Sequence, residues 1–140
     1  MGTKRTLVFV CVHGSAKSLI AAEYFRRLAE QRGLEIGVIS AGIDPDPEVP
    51  AHVINGLLDD GIDVRGRTPQ PVSREDITNA WRVVSFACDL VDLASPDLSI
   101  ERWDDVPAVV EDFDAARDVI VTRLQPLLAA CEGSPTPSLA

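Results

Sequence analysis

The segment from Leu7 to Ala22 holds the residues best suited to do chemistry. An apolar strand pattern ends on Cys11, a short polar loop follows, and a helical pattern begins near Lys17. A loop that enters a helix directs unpaired backbone N–H groups into one concavity, and the helix dipole adds partial positive charge there. We therefore expect this loop to bind a phosphate-like anion.

Cys11 lies at the start of that loop and is the candidate nucleophile. The thiolate is the reactive form of cysteine, and the helix N-terminus, the Lys17 cation and the Ser18 hydroxyl all favour it. The alternative is a buried cysteine at a strand end that packs as a small hydrophobic residue. The predicted oxyanion-binding residues are Val12, His13, Gly14, Ser15, Ala16 and Lys17.

Lys17 and Ser18 also match the end of the nucleotide-binding motif G-x-x-x-x-G-K-[ST]. The two glycines of that motif would fall at Cys11 and Ala16, so the wide loop that wraps a nucleotide diphosphate is not predicted. What remains is a tighter loop, sized for one phosphate or arsenate.

Residues 11–18 read C-V-H-G-S-A-K-S. This loop resembles C-x-x-N-x-x-R-S of the low-molecular-weight protein tyrosine phosphatases and the related arsenate reductases. Gly14 stands where that family has an asparagine that braces the loop, and Lys17 stands where it has an arginine that grips two phosphoryl oxygens. Lysine keeps the charge but offers a point contact instead of a planar fork, so weaker transition-state stabilisation is expected.

The resemblance extends to about residue 130 and leans toward the arsenate reductases. Residues 40–42 (S-A-G), 61–63 (G-I-D) and 66–73 (G-R-T-P-Q-P-V-S) look like the corresponding runs of those enzymes. Residues 82–88 look like the strand that carries their first resolving cysteine.

Cys88 is thus a candidate resolving cysteine. Ser95 stands where a thioredoxin-coupled reductase has its second resolving cysteine, so the three-cysteine relay of those enzymes is not expected. The resemblance then implies either a disulfide between Cys88 and Cys11 or a low-molecular-weight thiol in the missing role. The alternative is that Cys88 is a buried strand cysteine without a redox role.

A phosphatase of this type also needs a proton donor for the leaving oxygen. In the resembled family this acid is an Asp directly before a Pro, ahead of the last helix, and here residues 103–108 read W-D-D-V-P-A. Asp105 is the first candidate and Asp104 the second, and the alternative is that both are exposed loop or N-cap residues. Asp44 and Asp46 do precede prolines, but their position after the second strand indicates turn residues.

Composition limits the partners. A net charge of −9 argues against nucleic-acid binding, and three widely spaced cysteines argue against a secreted disulfide framework. No apolar run is long enough to span a membrane, and the first strand begins too early for a signal peptide, so we expect a cytoplasmic protein. His13 and His52, the chain's two histidines, do not complete a zinc site, and neither a metal nor a cofactor is expected.

Alternating strand and helix patterns predict a single three-layer α/β domain over residues 1–132, with a disordered tail over residues 133–140. Its four-stranded parallel sheet would carry helices on both faces, with Cys11 at the carboxyl end of the first strand, where ligands bind in such sheets. Ser73 is predicted to cap a short helix, and Pro126 to kink or end the last one.

Three functions are compatible with these residues. The first is a phosphomonoesterase in which Cys11 forms a phosphocysteine, and its expected partners are phosphate and a phosphorylated substrate. The second is an arsenate reductase that uses Cys11 with Cys88 or a thiol reductant. The third is a degenerate member that binds an anion or a partner without turnover.

Overall fold

The computed structural model describes residues 5–87, 90 and 100–132, and within them the chain forms a four-stranded parallel sheet. Its spatial order is β2-β1-β3-β4, with every neighbouring pair parallel. The strands are β1 (Arg5–Cys11), β2 (Ile36–Gly42), β3 (Arg82–Ser85) and β4 (Ile100–Arg102). The helices are α1 (Lys17–Gln31), α2 (Ala51–Asp59), α3 (Arg74–Thr78) and α4 (Phe113–Glu132).

The central strand β1 is buried on both sides, as its continuous apolar sequence predicts. Leu7 and Phe9 face the larger core, which also contains apolar residues of α1, α2 and α4. Val8 and Val10 face the opposite side and pack in a cluster with Ile77 of α3. Helices therefore cover both faces of the sheet, and the predicted fold class is confirmed.

The carboxyl ends of three strands meet at one edge of the sheet. Cys11 pairs with Gly42 of β2, and Val10 pairs with Ser85 of β3. The segments that follow these strands, which begin at Val12, Ile43 and Phe86, therefore converge. This is the edge at which parallel α/β sheets bind ligands.

The short helix α3 begins as predicted. The Ser73 side chain accepts a hydrogen bond from Asp76 N at 3.0 Å, and the Asp76 carboxylate accepts one from Ser73 N at 3.0 Å. This reciprocal pair is a capping box, which satisfies two donors that the helix leaves open.

The prediction that Pro126 kinks or ends the last helix is wrong in its second part, because α4 continues through Pro126 to Glu132. A proline inside a helix costs about 3 kcal/mol through a lost hydrogen bond and a ring clash. Leu127, Leu128 and Cys131 follow it and are buried in the larger core. Burial of a leucine stabilises by about 1.5–3 kcal/mol, so the packing of this last turn offsets the cost.

Among the described helices, none combines the length and apolar character needed to cross a membrane. The predicted tail, residues 133–140, lies outside the described residues.

Replacing Pro126 by alanine should raise the free energy of unfolding by about 1–3 kcal/mol, since the new N–H completes the helix and the site is exposed. Urea denaturation measures the change, and Gln125→Ala, at the exposed neighbouring position, is the control. A Pro126→Ala protein no more stable than the control would show that the helix carries no cost at Pro126.

Candidate active site

Cys11 ends β1 with its side chain almost enclosed, and its residue is 7% exposed. Gly14 N donates a hydrogen bond to Cys11 Sγ at 3.2 Å, and Ser18 Oγ lies 3.0 Å from the same sulfur. Ser40 Oγ donates to Ser18 Oγ at 3.0 Å, which leaves the Ser18 proton free to point to the sulfur. Two donors thus converge on Cys11, the arrangement that stabilises a thiolate.

Ser40 is a supporting residue that the sequence did not assign. It lies in the S-A-G run of β2, and parallel pairing places that strand beside β1. The S-A-G run was part of the family resemblance, but only the register of β1 and β2 shows that the Ser40 hydroxyl lies next to Ser18.

The loop of residues 12–16 joins Cys11 to the N-terminus of α1. Ala16 is the N-cap of this helix and provides no side-chain hydrogen bond, and the first turn of α1 contains no acidic residue. The positive end of the helix dipole is therefore not neutralised by the helix itself, which favours an anion there. Lys17 adds a cation that forms no ion pair with any residue in the described part of the chain.

Gly14 is required by both conformation and space. Its φ of +64° lies in the left-handed region, which glycine and asparagine adopt most readily. A Cβ atom at this position would lie 2.7 Å from Gly42 N and 2.9 Å from Ala41 C. The backbones of the loop and of β2 are thus in direct contact, so the asparagine of the resembled loop would not fit here.

A cavity of about 360 Å³ opens at Cys11. The predicted residues Val12, His13, Ser15, Ala16 and Lys17 line it, whereas Gly14 turns its N–H to the sulfur. The remaining wall comes from three other segments that the sequence did not connect with the loop: Asp46, Pro50, His52, Phe86, Ala87, Ala108, Val109 and Val110.

Much of that wall is apolar. Phe86 and Val109 are buried, whereas Val12 is 43% exposed and Val110 is 74% exposed at the outer part of the wall. The cavity therefore combines a floor at a helix N-terminus, which favours an anion, with apolar sides that can contact an organic group.

Asp105 is not among the described residues that line this cavity. It accepts two hydrogen bonds from the Arg123 guanidinium, at 2.6 Å and 2.7 Å, and its side chain is 74% exposed. These hydrogen bonds lower the pKa of the Asp105 carboxyl below its usual range. The prediction that Asp105 is the general acid finds no support in this geometry.

The second candidate, Asp104, does not line the cavity but contacts the backbone of a residue that does. Its carboxylate accepts a hydrogen bond from Ala87 N at 3.0 Å and one from Arg102 Nε at 3.0 Å. Ala87 lines the cavity and has a φ of +59°, which is uncommon for a residue other than glycine. The hydrogen bond from Ala87 to Asp104 thus stabilises the left-handed backbone conformation of Ala87 at the cavity.

The candidate resolving cysteine, Cys88, lies outside the described residues, although Ala87, which precedes it in the chain, lines the cavity. Cys131 is buried in α4, and burial raises the pKa of its thiol. In the described residues, no group of three or more His, Cys, Asp and Glu side chains is placed to hold a metal ion.

A parallel α/β sheet with a hydrogen-bonded cysteine beside a helix N-terminus at its carboxyl edge is typical of cysteine-based enzymes that act on oxyanions. The model of the low molecular weight phosphotyrosine protein phosphatase family matches residues 6–97, and the chain belongs to this family. As predicted, it is an enzyme of the group that contains cysteine-based phosphatases and arsenate reductases.

Individual relatives agree with this assignment. A protein of Halobacterium salinarum named "Putative arsenate reductase" is 26% identical over 97 residues, which is 68% of each chain. The crystal structure of YfkJ from Bacillus subtilis superimposes with a TM-score of 0.83 at 23% identity, covering 96% of this chain and 99% of YfkJ. A thioredoxin-dependent arsenate reductase of Corynebacterium glutamicum has a TM-score of 0.81 at 22% identity, covering 96% of this chain and 65% of that one. The two structural likenesses support the fold.

Replacing Gly14 by the asparagine of the family should destabilise the protein. We expect Gly14→Asn to lower the free energy of unfolding by about 1–3 kcal/mol, because its Cβ would overlap the Gly42 backbone. Gly33→Asn is the matched control, since Gly33 has a φ of +69° with open space around it, and it should be nearly neutral. Chemical denaturation compares the two, and equal stabilities would contradict this account of the loop.

Proposed function

We propose that this enzyme is a phosphomonoesterase that works through a phosphocysteine on Cys11. The observation that carries the proposal is the apolar wall of the cavity beside the anion-binding loop. An inorganic oxyanion such as arsenate needs only the loop, whereas a phosphate ester also presents an organic group. Val12 and Val110, the exposed valines of the wall, offer that group an apolar surface, which suits an aryl phosphate.

The reaction would proceed in two displacements. The Cys11 thiolate attacks phosphorus, the S–P bond forms, and the ester P–O bond breaks with its electron pair going to the leaving oxygen. Water then attacks the phosphocysteine, the S–P bond breaks, and phosphate and the thiolate are released. The loop N–H groups and Lys17 stabilise the charge on the phosphoryl oxygens in both transition states.

Leaving-group chemistry also favours an aryl substrate. Asp105 is ion-paired with Arg123 and does not line the cavity. An alkoxide leaves poorly without a proton donor, whereas a phenoxide with an acidic parent phenol leaves without one. We therefore expect activity to rise as the leaving phenol becomes more acidic.

The central experiment is hydrolysis of a small aryl phosphate by the wild-type protein and by Cys11→Ser. Turnover by the wild type should fall by at least about a hundredfold in the variant, because the nucleophile is removed. Cys131→Ala is the control, since Cys131 is a buried thiol of α4 and should leave turnover intact. Equal turnover by Cys11→Ser and wild type would exclude the phosphocysteine route.

The ion pair of Asp105 gives a prediction about pH. The lowered pKa keeps this carboxyl ionised in the range from about pH 5 to 8, so it has no proton to donate there. The kcat of Asp105→Asn should stay within about threefold of wild type across that range, whereas loss of a general acid costs about 10²–10⁴-fold. Glu111→Gln is the control, since Glu111 is an exposed carboxylate that does not line the cavity. A hundredfold loss in Asp105→Asn alone would establish Asp105 as the acid.

Arsenate reduction is the second candidate, supported by the position of Ala87 on the cavity wall directly before Cys88 in the chain. Cys11 would form an S–As bond with loss of water. The Cys88 thiolate would then attack the Cys11 sulfur, so that the S–As electron pair reduces arsenic to arsenite as a Cys11–Cys88 disulfide forms. A thiol reductant would restore both thiols.

The two activities separate at Cys88. Cys88→Ser should stop arsenite formation from arsenate if Cys88 is the resolving thiol, and it should leave aryl phosphate hydrolysis unchanged. Arsenite and phosphate assays on the same preparation, with Cys131→Ala as the control, measure both.

We further propose a cytoplasmic location, which the thiols of Cys11 and Cys131 support because free thiols persist in reducing compartments.

A further inference from the structure

The anion-binding loop has no side chain at its middle position, Gly14, and must be held in shape from outside. The segment after β2 provides this support. Asp44 N donates to Val12 O at 2.8 Å, and Asp46 N donates to His13 O at 3.1 Å. These bonds fix the backbone of the loop but leave open how its side chains are held.

We propose that Asp46 is the positioning residue of the loop, a role that rests on the proposed function of the loop in catalysis. Its carboxylate contacts the residues on either side of Gly14, with a hydrogen bond to Ser15 and a longer approach to His13. Asp46 Oδ2 accepts a hydrogen bond from Ser15 Oγ at 2.6 Å, and Oδ1 lies 3.5 Å from His13 Nδ1. We call these three residues, Asp46, Ser15 and His13, the clasp.

The occupied carboxylate oxygens indicate positioning and not proton donation. Each oxygen of Asp46 faces a group of the loop, Ser15 on one side and His13 on the other. Ser15 is 2% exposed, and its hydrogen bond to Asp46 directs its hydroxyl. His13 Nδ1 also lies 3.2 Å from Asp44 O, which orients the imidazole ring.

The clasp matters because the loop must be shaped before the anion arrives. Gly14 N points at the Cys11 sulfur, and the neighbouring residues Ser15 and Ala16 line the cavity. Donors that are already aimed stabilise developing charge without the cost of reorganisation. A loop released at both sides of Gly14 would lose this aim, so anion affinity and kcat should fall together.

The sign of the effect separates this role from simple electrostatics. Asp46 also lines the anion cavity, and a carboxylate there repels a bound anion. If repulsion were its main effect, removal of Asp46 would tighten phosphate binding. The clasp predicts the opposite, that removal weakens it.

The experiment measures the Kd of inorganic phosphate by isothermal titration calorimetry for wild type, Asp46→Ala, Asp46→Asn and Ser15→Ala. The kcat and KM for an aryl phosphate and the thermal melting temperature are measured on the same proteins. Asp46→Ala keeps the backbone bond to His13 O but removes the carboxylate. Glu48→Ala is the matched control, since Glu48 is an exposed acidic residue of the same segment that does not line the cavity.

We expect Asp46→Ala to raise the phosphate Kd by about tenfold and to lower kcat by at least as much, as loss of a hydrogen bond to a charged group would. Asp46→Asn, which still accepts from Ser15, should recover part of both. Ser15→Ala should reproduce most of the effect of Asp46→Ala, because both variants remove the hydrogen bond between Ser15 and Asp46. Glu48→Ala should stay within twofold of wild type, on the order of surface effects.

A Kd in Asp46→Ala that is unchanged or lower than in wild type would overturn the clasp, as would a melting temperature that falls without a change in Kd. Should Asp46→Ala fail to fold, Asp46→Asn and Ser15→Ala decide by the same criteria. If the wild type binds phosphate but shows no turnover, and the variants bind phosphate more weakly, the result would support the clasp and reject the phosphomonoesterase. A wild type that does not bind phosphate would reject the clasp.

Discussion

The site depends on two hydrogen-bond donors that meet at one sulfur. Cys11 is almost enclosed, and a negative charge there needs donors to replace water. Gly14 N and the Ser18 hydroxyl supply them, and Ser40 orients the latter from β2. The parallel pairing of β1 with β2, the turn of the loop and the start of α1 all serve to bring these groups to Cys11.

Close backbone contact is the constraint that makes this arrangement specific. Gly14 and Gly42 approach so closely that a Cβ on either would meet the other's backbone within 3 Å. The loop therefore cannot carry a bracing side chain at its centre, and support must come from its flanks. Asp46, which meets Ser15 and His13, lies where such support is needed. The departure of Gly14 from the family pattern thus has a structural reason.

Local and periodic features could be predicted from the sequence. The buried pattern of β1, the Ser73 cap and the change from strand to helix after Cys11 follow from neighbouring residues, and the structure confirms all three. Contacts between distant segments could not be predicted in this way. Asp46 looked like a turn residue, and only the three-dimensional path of the segment after β2 brings it to the loop. Asp105 was predicted to be the general acid from its local sequence. Its carboxylate is paired with Arg123 of α4, 18 residues later in the chain, and local sequence does not show that contact.

The proposed mechanism requires that Cys11 becomes covalently phosphorylated during turnover. Rapid acid quench of the enzyme with an aryl phosphate, followed by peptide mass spectrometry, tests it directly. In the phosphocysteine route, the peptide that contains Cys11 gains the mass of one phosphoryl group within the first turnover, and the corresponding peptide of Cys11→Ser does not. Hydrolysis of the substrate with no phosphoryl group on Cys11 at any quench time would contradict it.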